Sequence, residues 1–437
     1  MMWILNKYRL FEFIVGSIIS LLILLFLIVR GATNIGVILL SLMGLFLFIK
    51  GIQKNKSIIS NGDLLLITIG FSALFIATLA AQIGRNQYQI SSLDGPLRIF
   101  LGFFIFILLL RVKLNLIYLL SLLIPMSLIF LLIDLAYFDK AFLTNWGGRY
   151  ASYFVDPNTL GGQCGIFSAL TFYFLFSQFR KNIFSDLIRL IGFISGIVIT
   201  FYAQSRGGWL AFISMFIFVL LIERLSFFKS IKERNLYFYF LIFIILLFCS
   251  LFFTINKTYL LNRTDSVFFE INLWMQNTSN FHEGAIYSRL GMWEVGFLLA
   301  NESLFFGFGE KYLGISVAKF YDFLPLNLHH PLNILIGTGP HSDFLAKLLA
   351  SGIIGAFAYV ITIFIPLLFF FKFIHHTSQS LRFPARLGTA YLIGIVITGL
   401  FNETLSLKYL CSFFGFIIAI FLASIFITEP ANPHESK

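Results

Sequence analysis

Charged residues, cysteines and linker-type segments are all scarce in this 437-residue chain. Asp, Glu, Lys and Arg make up only 12% of it, against about a quarter in a typical soluble domain, which excludes a soluble fold for most of the chain. The three cysteines, Cys164, Cys249 and Cys411, lie in apolar runs without zinc-ligand spacing, which indicates small core residues. No Pro/Gly/Ser-rich linker divides the chain, so we predict a single membrane domain over residues 1–437.

Apolar runs approaching 20 residues are abundant. Hydrophobic residues make up 59% of the chain and 57 residues are Phe. A membrane helix needs roughly 20 apolar residues, and the sequence predicts an all-α polytopic membrane protein with about twelve transmembrane helices. The predicted spans are Leu10–Val29, Ile35–Ile49, Leu64–Ile83, Leu97–Leu110, Leu116–Tyr137, Leu160–Phe176, Leu190–Ala203, Trp209–Ile222, Leu236–Ile255, Leu348–Phe371, Leu387–Phe401 and Tyr409–Ile427.

Lys and Arg are distributed unevenly among the connecting segments. When the N-terminus is placed in the cytoplasm, more than half of the 31 basic residues fall in cytoplasmic segments, as the positive-inside rule requires. We therefore predict a multi-pass membrane protein with both termini in the cytoplasm. The net charge of +11 largely reflects this orientation, and no basic–aromatic module indicates nucleic acid as a partner.

One connection is far longer than the others. Residues 256–347, between the ninth and tenth predicted helices, face the periplasm in this topology, and a loop this long on a rigid scaffold tends to be functional. Within it, Ile286, Leu290, Trp293 and Phe297 recur at helical spacing. This pattern predicts an amphipathic helix on the membrane surface.

Three residues on the predicted periplasmic side could carry chemistry: Arg206, Arg289 and His341. A guanidinium donates hydrogen bonds in a fork that matches phosphate oxygens, and two of them facing one cleft suit a diphosphate. Gly207 and Gly208 would let backbone N–H groups approach the same anion. Histidine can take a proton near neutral pH.

Each of these residues also has a plainer interpretation. An arginine at a helix end usually extends to lipid headgroups, and a loop histidine is more often a surface or hydrogen-bonding residue. Asp156 and Asn158, around Pro157, are suited to capping a helix or to a part in the site. Asp134, inside an apolar run, is either functional or a solvated interfacial acid.

A metal site is not predicted. His329 and His330 are adjacent, so they do not share a face, and no third ligand has suitable spacing.

Four segments, taken together, resemble the bacterial O-antigen ligase and polymerase superfamily. They run in pieces from about Tyr150 to Phe357. Ser342 stands where that family usually has asparagine after the histidine, and Ala350 stands where it often has an acid. The segments are YFVDPNTLGG, QSRGGWLAF, SRLGMWEVGFLLANESLFFGFGE and PHSDFLAKLLASGIIGAF.

The resemblance implies a GT-C type membrane glycosyltransferase that needs no cofactor and no metal. The donor would be a glycan on undecaprenyl diphosphate in the periplasmic leaflet of the bacterial inner membrane, with Arg206 and Arg289 holding the diphosphate. His341 would take the proton from the acceptor sugar, and the product would be inverted at the anomeric carbon. The resemblance also suggests supporting roles for three further residues: Asp156, Asn158 and Trp293.

The acceptor separates the alternatives. A ligase passes the glycan to lipid A-core, whereas a polymerase passes it to another lipid-linked repeat. The QSRGGW segment, the single dominant loop and the order of the three candidate residues favour the ligase. A transporter or flippase of lipid-linked glycan is the rival from another class, but the paired broken helices and midplane charges typical of transporters are not evident in the sequence. A structural scaffold would not account for the histidine and the two arginines.

Overall fold

The computed structural model describes residues 2–50, 59–137, 146, 148–176, 182–232, 254, 257–276, 284–310, 321 and 324–427. Across these residues the chain forms fourteen α-helices and one short 3₁₀ helix, and the described part contains no strand. The helices are α1 Met2–Leu25, α2 Ala32–Ile49, α3 Asn61–Arg85, α4 Ile90–Leu109, α5 Leu116–Tyr137, α6 Pro157–Phe176, α7 Ile183–Tyr202, α8 Arg206–Lys232, α9 Lys257–Met275, α10 Ala285–Glu302, α11 Leu326–Thr338, α12 Asp343–Phe373, α13 Gln379–Phe401, the 3₁₀ helix Thr404–Ser406 and α14 Lys408–Phe426.

Ten of the described helices are long and apolar enough to cross a membrane: α2 to α8 and α12 to α14. Each coincides with one of the twelve predicted spans, which confirms a polytopic all-α membrane protein. The first predicted span falls largely within α1, which is helical but is not one of these ten. The ninth, Leu236–Ile255, lies outside the described residues.

Several spans begin earlier than the apolar pattern predicts, because charged residues inside them are paired. Arg98, which interrupts the fourth apolar run, donates from Nε to Asp94 Oδ1 over 2.7 Å within α4. Arg189, ahead of the seventh run, lies 2.9 Å from Asp186 and also donates to Ser121 on α5. Pairing reduces the cost of burying these charges, so the helices extend through residues that hydropathy alone would exclude.

Close contact between α6 and α8 places the start of each helix beside the other. A Cβ on Gly208 would overlap the carbonyl of Gly161, and a Cβ on Gly165 would lie 2.5 Å from the Gly208 oxygen. Only glycine permits backbones to approach this closely. Ser205, just before α8, also donates to the Asn158 carbonyl in the first turn of α6 over 3.1 Å.

The long connection contains a second hydrophobic core of its own, formed by α10, α11 and the first turns of α12. Helix α10 confirms the predicted helix, but its buried face is centred on Met292, Val295 and Leu299. The stripe predicted for the membrane surface lies largely outside this buried face, and its Phe297 is 51% exposed. The face of α10 that is buried is the one that α11 and α12 cover. The apolar periodicity of α10 does not indicate where these two helices pack.

A break in α12 attaches the connection to the membrane domain. Gly352 has φ 67° within the helix, and the predicted turn residues Gly307 and Gly309 have φ of 64° and 79°. The turn that contains Gly307 and Gly309 packs against the broken part of α12, where Phe308 N donates to the Leu349 carbonyl over 2.7 Å. The first turns of α12 therefore pack with the loop helices, while the longer part after the break packs with the other spans.

Candidate functional site

A cavity opens at the end of the bundle where α6 and α8 begin and where α7 and α13 end. It encloses about 590 Å³ of empty space, including its open mouth. The paired basic residues Arg189 and Arg386 lie near the other ends of their helices. The cavity is lined by Arg149, Asn158, Gln204, Ser205, Arg206, Gly207, Gly208, Arg289, Thr398, Phe401 and Asn402.

Arg206 is the first residue of α8 and is held by α9, a helix of the long connection. Its Nη2 donates to Ser266 Oγ over 2.8 Å, and its Nη1 lies 3.5 Å from Glu270 Oε1. Its Nε and Nη1 are buried without a hydrogen-bond partner among the described residues. This guanidinium is therefore oriented by two neighbours and retains donor capacity beside the cavity.

The two glycines after Arg206 both line the cavity but differ in role. Gly208 N donates to Ser205 Oγ over 3.2 Å, so Ser205 caps the helix, and Gly208 is glycine because α6 is in contact with it. Gly207 is the second helical residue, and the first N–H groups of a helix have no intrahelical acceptor. An anion here would therefore meet the positive end of α8.

Arg289, on α10, lines the same cavity as Arg206 although the two are far apart in sequence. Burial lowers the Arg289 pKa, the positive charges of Arg206 and Arg149 lower it further, and the Glu270 carboxylate opposes these effects. Its Nε is buried with no hydrogen-bond partner in the described part of the chain. Three guanidiniums thus repel one another around one cavity, and a bound anion would relieve this repulsion.

Asp156 and Asn158 have separate tasks at the start of α6. Asp156 Oδ1 accepts from the backbone N of Asn158 at 2.9 Å and of Thr159 at 3.1 Å, so the predicted cap is present. Asn158 lines the cavity, and its Oδ1 accepts from Arg149 Nη2 at 2.7 Å. Asn158 therefore positions a cation of the site, whereas Asp156 stabilises the helix that carries it.

His341 lies two residues before α12 and is not among the residues that line the cavity, although Asn402, which lines it, influences the His341 ring. The Nε2 of its ring lies 3.3 Å from Thr338 Oγ1. Its φ of 49° is unusual for a residue with a side chain. Burial lowers the His341 pKa and the charge of Arg289 lowers it further, although Asp156 and Asn402 oppose this. The imidazole is therefore neutral at neutral pH and can accept a proton.

Glu403 supports the backbone at this histidine. Its Oε1 accepts from His341 N at 3.3 Å, and a Cβ on Gly339 would overlap the same carboxylate. Burial raises the Glu403 pKa to about 7, against the opposing effect of the positive charge of Lys347. The left-handed turn at positions 339–341 is thus fitted around one acidic side chain.

The remaining candidates from the sequence lie around the site or away from it. Trp293 packs against Phe401 with ring centroids 6.5 Å apart, so it borders the cavity wall. Asp134 is half-buried near the end of α5 and does not line the cavity. His329 Nε2 lies 2.9 Å from the Leu324 carbonyl, which gives that ring a local packing role.

Sequence reasoning missed four residues that the fold places here: Arg149, Glu270, Asn402 and Glu403. Arg149 lies close before the Asp-Pro-Asn segment, and the Asn402–Glu403 pair directly follows an apolar run. These positions, next to a candidate segment and at the end of a predicted span, could have marked the three residues as candidates for the site. Glu270 had none, because α9 has no clear apolar period to predict it.

Comparison with known proteins identifies a family over part of the chain. Residues 191–360 match the family described as O-antigen ligase, and this range includes Arg206, Arg289 and His341. No curated protein matches the chain. The protein is a multi-pass membrane protein, and its residues 191–360 are similar to the O-antigen ligase family.

Proposed function

We propose that this protein is an O-antigen ligase, a GT-C type glycosyltransferase that transfers a polysaccharide from undecaprenyl diphosphate to lipid A-core in the periplasmic leaflet of the inner membrane. The observation that carries the proposal is that Arg206, from the bundle, and Arg289, from the long connection, line one cavity. Both retain donor atoms without a hydrogen-bond partner in the described residues, as a site awaiting an anion requires.

The proposed reaction is a single displacement. The acceptor hydroxyl oxygen attacks the anomeric carbon of the donor glycan, and the bond from that carbon to the diphosphate oxygen breaks. The hydroxyl proton passes to His341, and the lipid diphosphate leaves with the bonding electrons. Arg206, Arg289 and the backbone N–H of Gly207 stabilise the charge on the leaving group, while Gly208 lets α6 and α8 approach closely beside it. Attack from the face opposite the leaving group inverts the anomeric carbon.

Arg149 adds a third positive charge to this proposal. Asn158 and the Ala203 carbonyl both accept hydrogen bonds from its guanidinium, at 2.7 and 3.0 Å, so it is held in place beside the cavity. Three fixed cations suit a diphosphate, whose leaving-group charge must be stabilised without rearrangement of the site. Membrane lipid beside the spans would accommodate the polyprenyl chain.

Transfer is expected to proceed at full rate in excess EDTA. Fixed guanidiniums can take the place that a divalent ion occupies in other transferases. The measurement is the rate of glycan transfer by purified protein with and without chelator. A metal-dependent transferase assayed alongside shows that the chelator is effective. A loss of activity that Mg²⁺ or Mn²⁺ restores would contradict the metal-independent mechanism.

Reconstitution separates the three candidate functions. Purified protein in detergent, where no transport can occur, is expected to join undecaprenyl-diphosphate-linked polymer to lipid A-core. A polymerase would instead lengthen the lipid-linked polymer, and a transporter or flippase would form no product. In a deletion strain, a ligase leaves lipid A-core without any polymer while donor accumulates, whereas loss of a polymerase leaves a single attached repeat.

A further inference from the structure

Arg206 and Arg289 belong to different parts of the fold, so something must fix the distance between them. Arg206 begins α8, which packs in the membrane domain, whereas Arg289 lies near the start of α10 in the long connection. The position of Arg289 therefore depends on how the N-terminal end of α10 is held.

Glu270, on α9, contacts both parts. Its Oε2 accepts from the backbone N of Ile286 at 2.5 Å and of Tyr287 at 3.2 Å, in the first turn of α10. Its Oε1 lies 3.5 Å from Arg206 Nη1. The side chain is buried, with 8% of the residue exposed. One carboxylate thus caps the helix that carries Arg289 and pairs with Arg206.

The surroundings of Glu270 are built around this double contact. Gly284 precedes α10 and has no side chain to cap it, and a Cβ there would lie 2.6 Å from Glu270 Oε2. One turn before Glu270 on the same helix, Ser266 accepts from Arg206. One turn after it, Trp274 packs edge-on against Tyr287 with ring centroids 5.4 Å apart. One face of α9 therefore joins Arg206 to α10.

We propose that Glu270 is a positioning residue, which sets the separation and orientation of the Arg206 and Arg289 guanidiniums so that both meet one diphosphate. The inference rests on the proposed function for the identity of that ligand. In this inference α9 links the two arginines. Among the described residues, Glu270 is the carboxylate that contacts both Arg206 and the start of α10.

The sign of the effect on diphosphate binding distinguishes positioning from simple charge. If Glu270 only neutralised the cavity, Glu270→Gln would make the site more positive and bind undecaprenyl diphosphate more tightly. If it positions the arginines, Glu270→Gln weakens binding by about threefold and Glu270→Ala by about tenfold, the scale of a lost cap or charged contact. Glutamine retains an oxygen that can accept from the α10 backbone, so its effect is the smaller.

The test uses the full-length purified protein and two independent readouts. Undecaprenyl diphosphate affinity is measured for wild type, Glu270→Gln, Glu270→Ala and the matched variant Ser266→Ala, which removes the hydroxyl that accepts from Arg206 but leaves the Glu270 carboxylate in place. Hydrogen exchange of the Ile286 and Tyr287 amides reports the cap without any ligand. We expect faster exchange in Glu270→Ala, near-normal exchange in Ser266→Ala and weakened binding in all three variants.

Two outcomes overturn the inference. One is unchanged exchange of the two amides in Glu270→Ala, whatever the ligand proves to be. The other is equal or tighter diphosphate binding by Glu270→Gln when wild type binds. Failure of wild type to bind the lipid diphosphate or to transfer glycan would instead count against the proposed function, and the exchange measurement would still decide whether Glu270 holds α10.

Discussion

Arg206→Ala and Arg289→Ala are each expected to reduce glycan transfer to near background, while the protein still inserts into the membrane. Removing one preorganised donor to a developing anion costs about 10²–10³ in rate. Both arginines line one cavity, and α8 and α10 contribute one each, so neither can replace the other. The measurements are kcat and KM for transfer from undecaprenyl-diphosphate-linked glycan, with membrane insertion checked by fractionation.

Two variants make this expectation specific. Arg206→Lys retains the charge but loses the planar fork, so it should recover only part of the activity. Arg382→Ala removes an arginine that donates to the His376 and Thr377 carbonyls before α13, away from the cavity, and should transfer at the wild-type rate. Near-normal polymer on lipid A-core in both cavity variants would refute the assignment of the arginines.

His341→Asn is expected to abolish transfer without weakening donor binding. Asparagine tolerates the left-handed φ of 49° at this position, so the turn should survive, but its amide cannot take the proton. Loss of a general base typically costs about 10²–10⁴ in rate. The change should therefore appear in kcat, with KM for the donor nearly unchanged.

The pH profile provides the control for His341. Because its pKa is lowered below 6.5, the imidazole is neutral at pH 7, and the wild-type rate should fall only as pH drops through that lowered pKa. Residual activity of His341→Asn should lack this acidic limb. Glu403, with a pKa of about 7, titrates above it, so Glu403→Gln should keep the limb. An acidic limb that persists in His341→Asn would show that another group is the base.

Most of the helices follow from the sequence because a membrane helix must satisfy its own backbone and expose apolar side chains. Ten predicted spans are present in the structure. The bounds were less predictable. Residues such as Arg98 and Arg189 interrupt or precede the apolar runs, yet they lie inside helices because Asp94 and Asp186 pair with them. A local hydropathy pattern does not include such pairing.

The candidate site divides in the same way. Arg206, Arg289 and His341 could be proposed from residue chemistry and family resemblance, since each lies within a recognisable segment. Arg149, Asn402 and Glu403 were missed, because their positions beside the Asp-Pro-Asn segment and after an apolar run are weak signals, and only the packing of distant segments brings them to the site. Which face of α10 packs against protein could not be predicted for the same reason, since α11 and α12 determine which side is buried.

The amino-acid sequence by itself determined that this is a helical membrane protein and which residue types could hold a diphosphate and take a proton. Composition and periodicity are properties of short segments, and the bilayer requires each spanning segment to be apolar and to form its own backbone hydrogen bonds. Only the tertiary structure decided that two arginines 83 positions apart in sequence line one cavity. That convergence depends on the glycine contacts between α6 and α8, on the turn packed against the break at Gly352 and on the contact of Glu270, from α9, with the start of α10. All three join segments that are separated in the sequence.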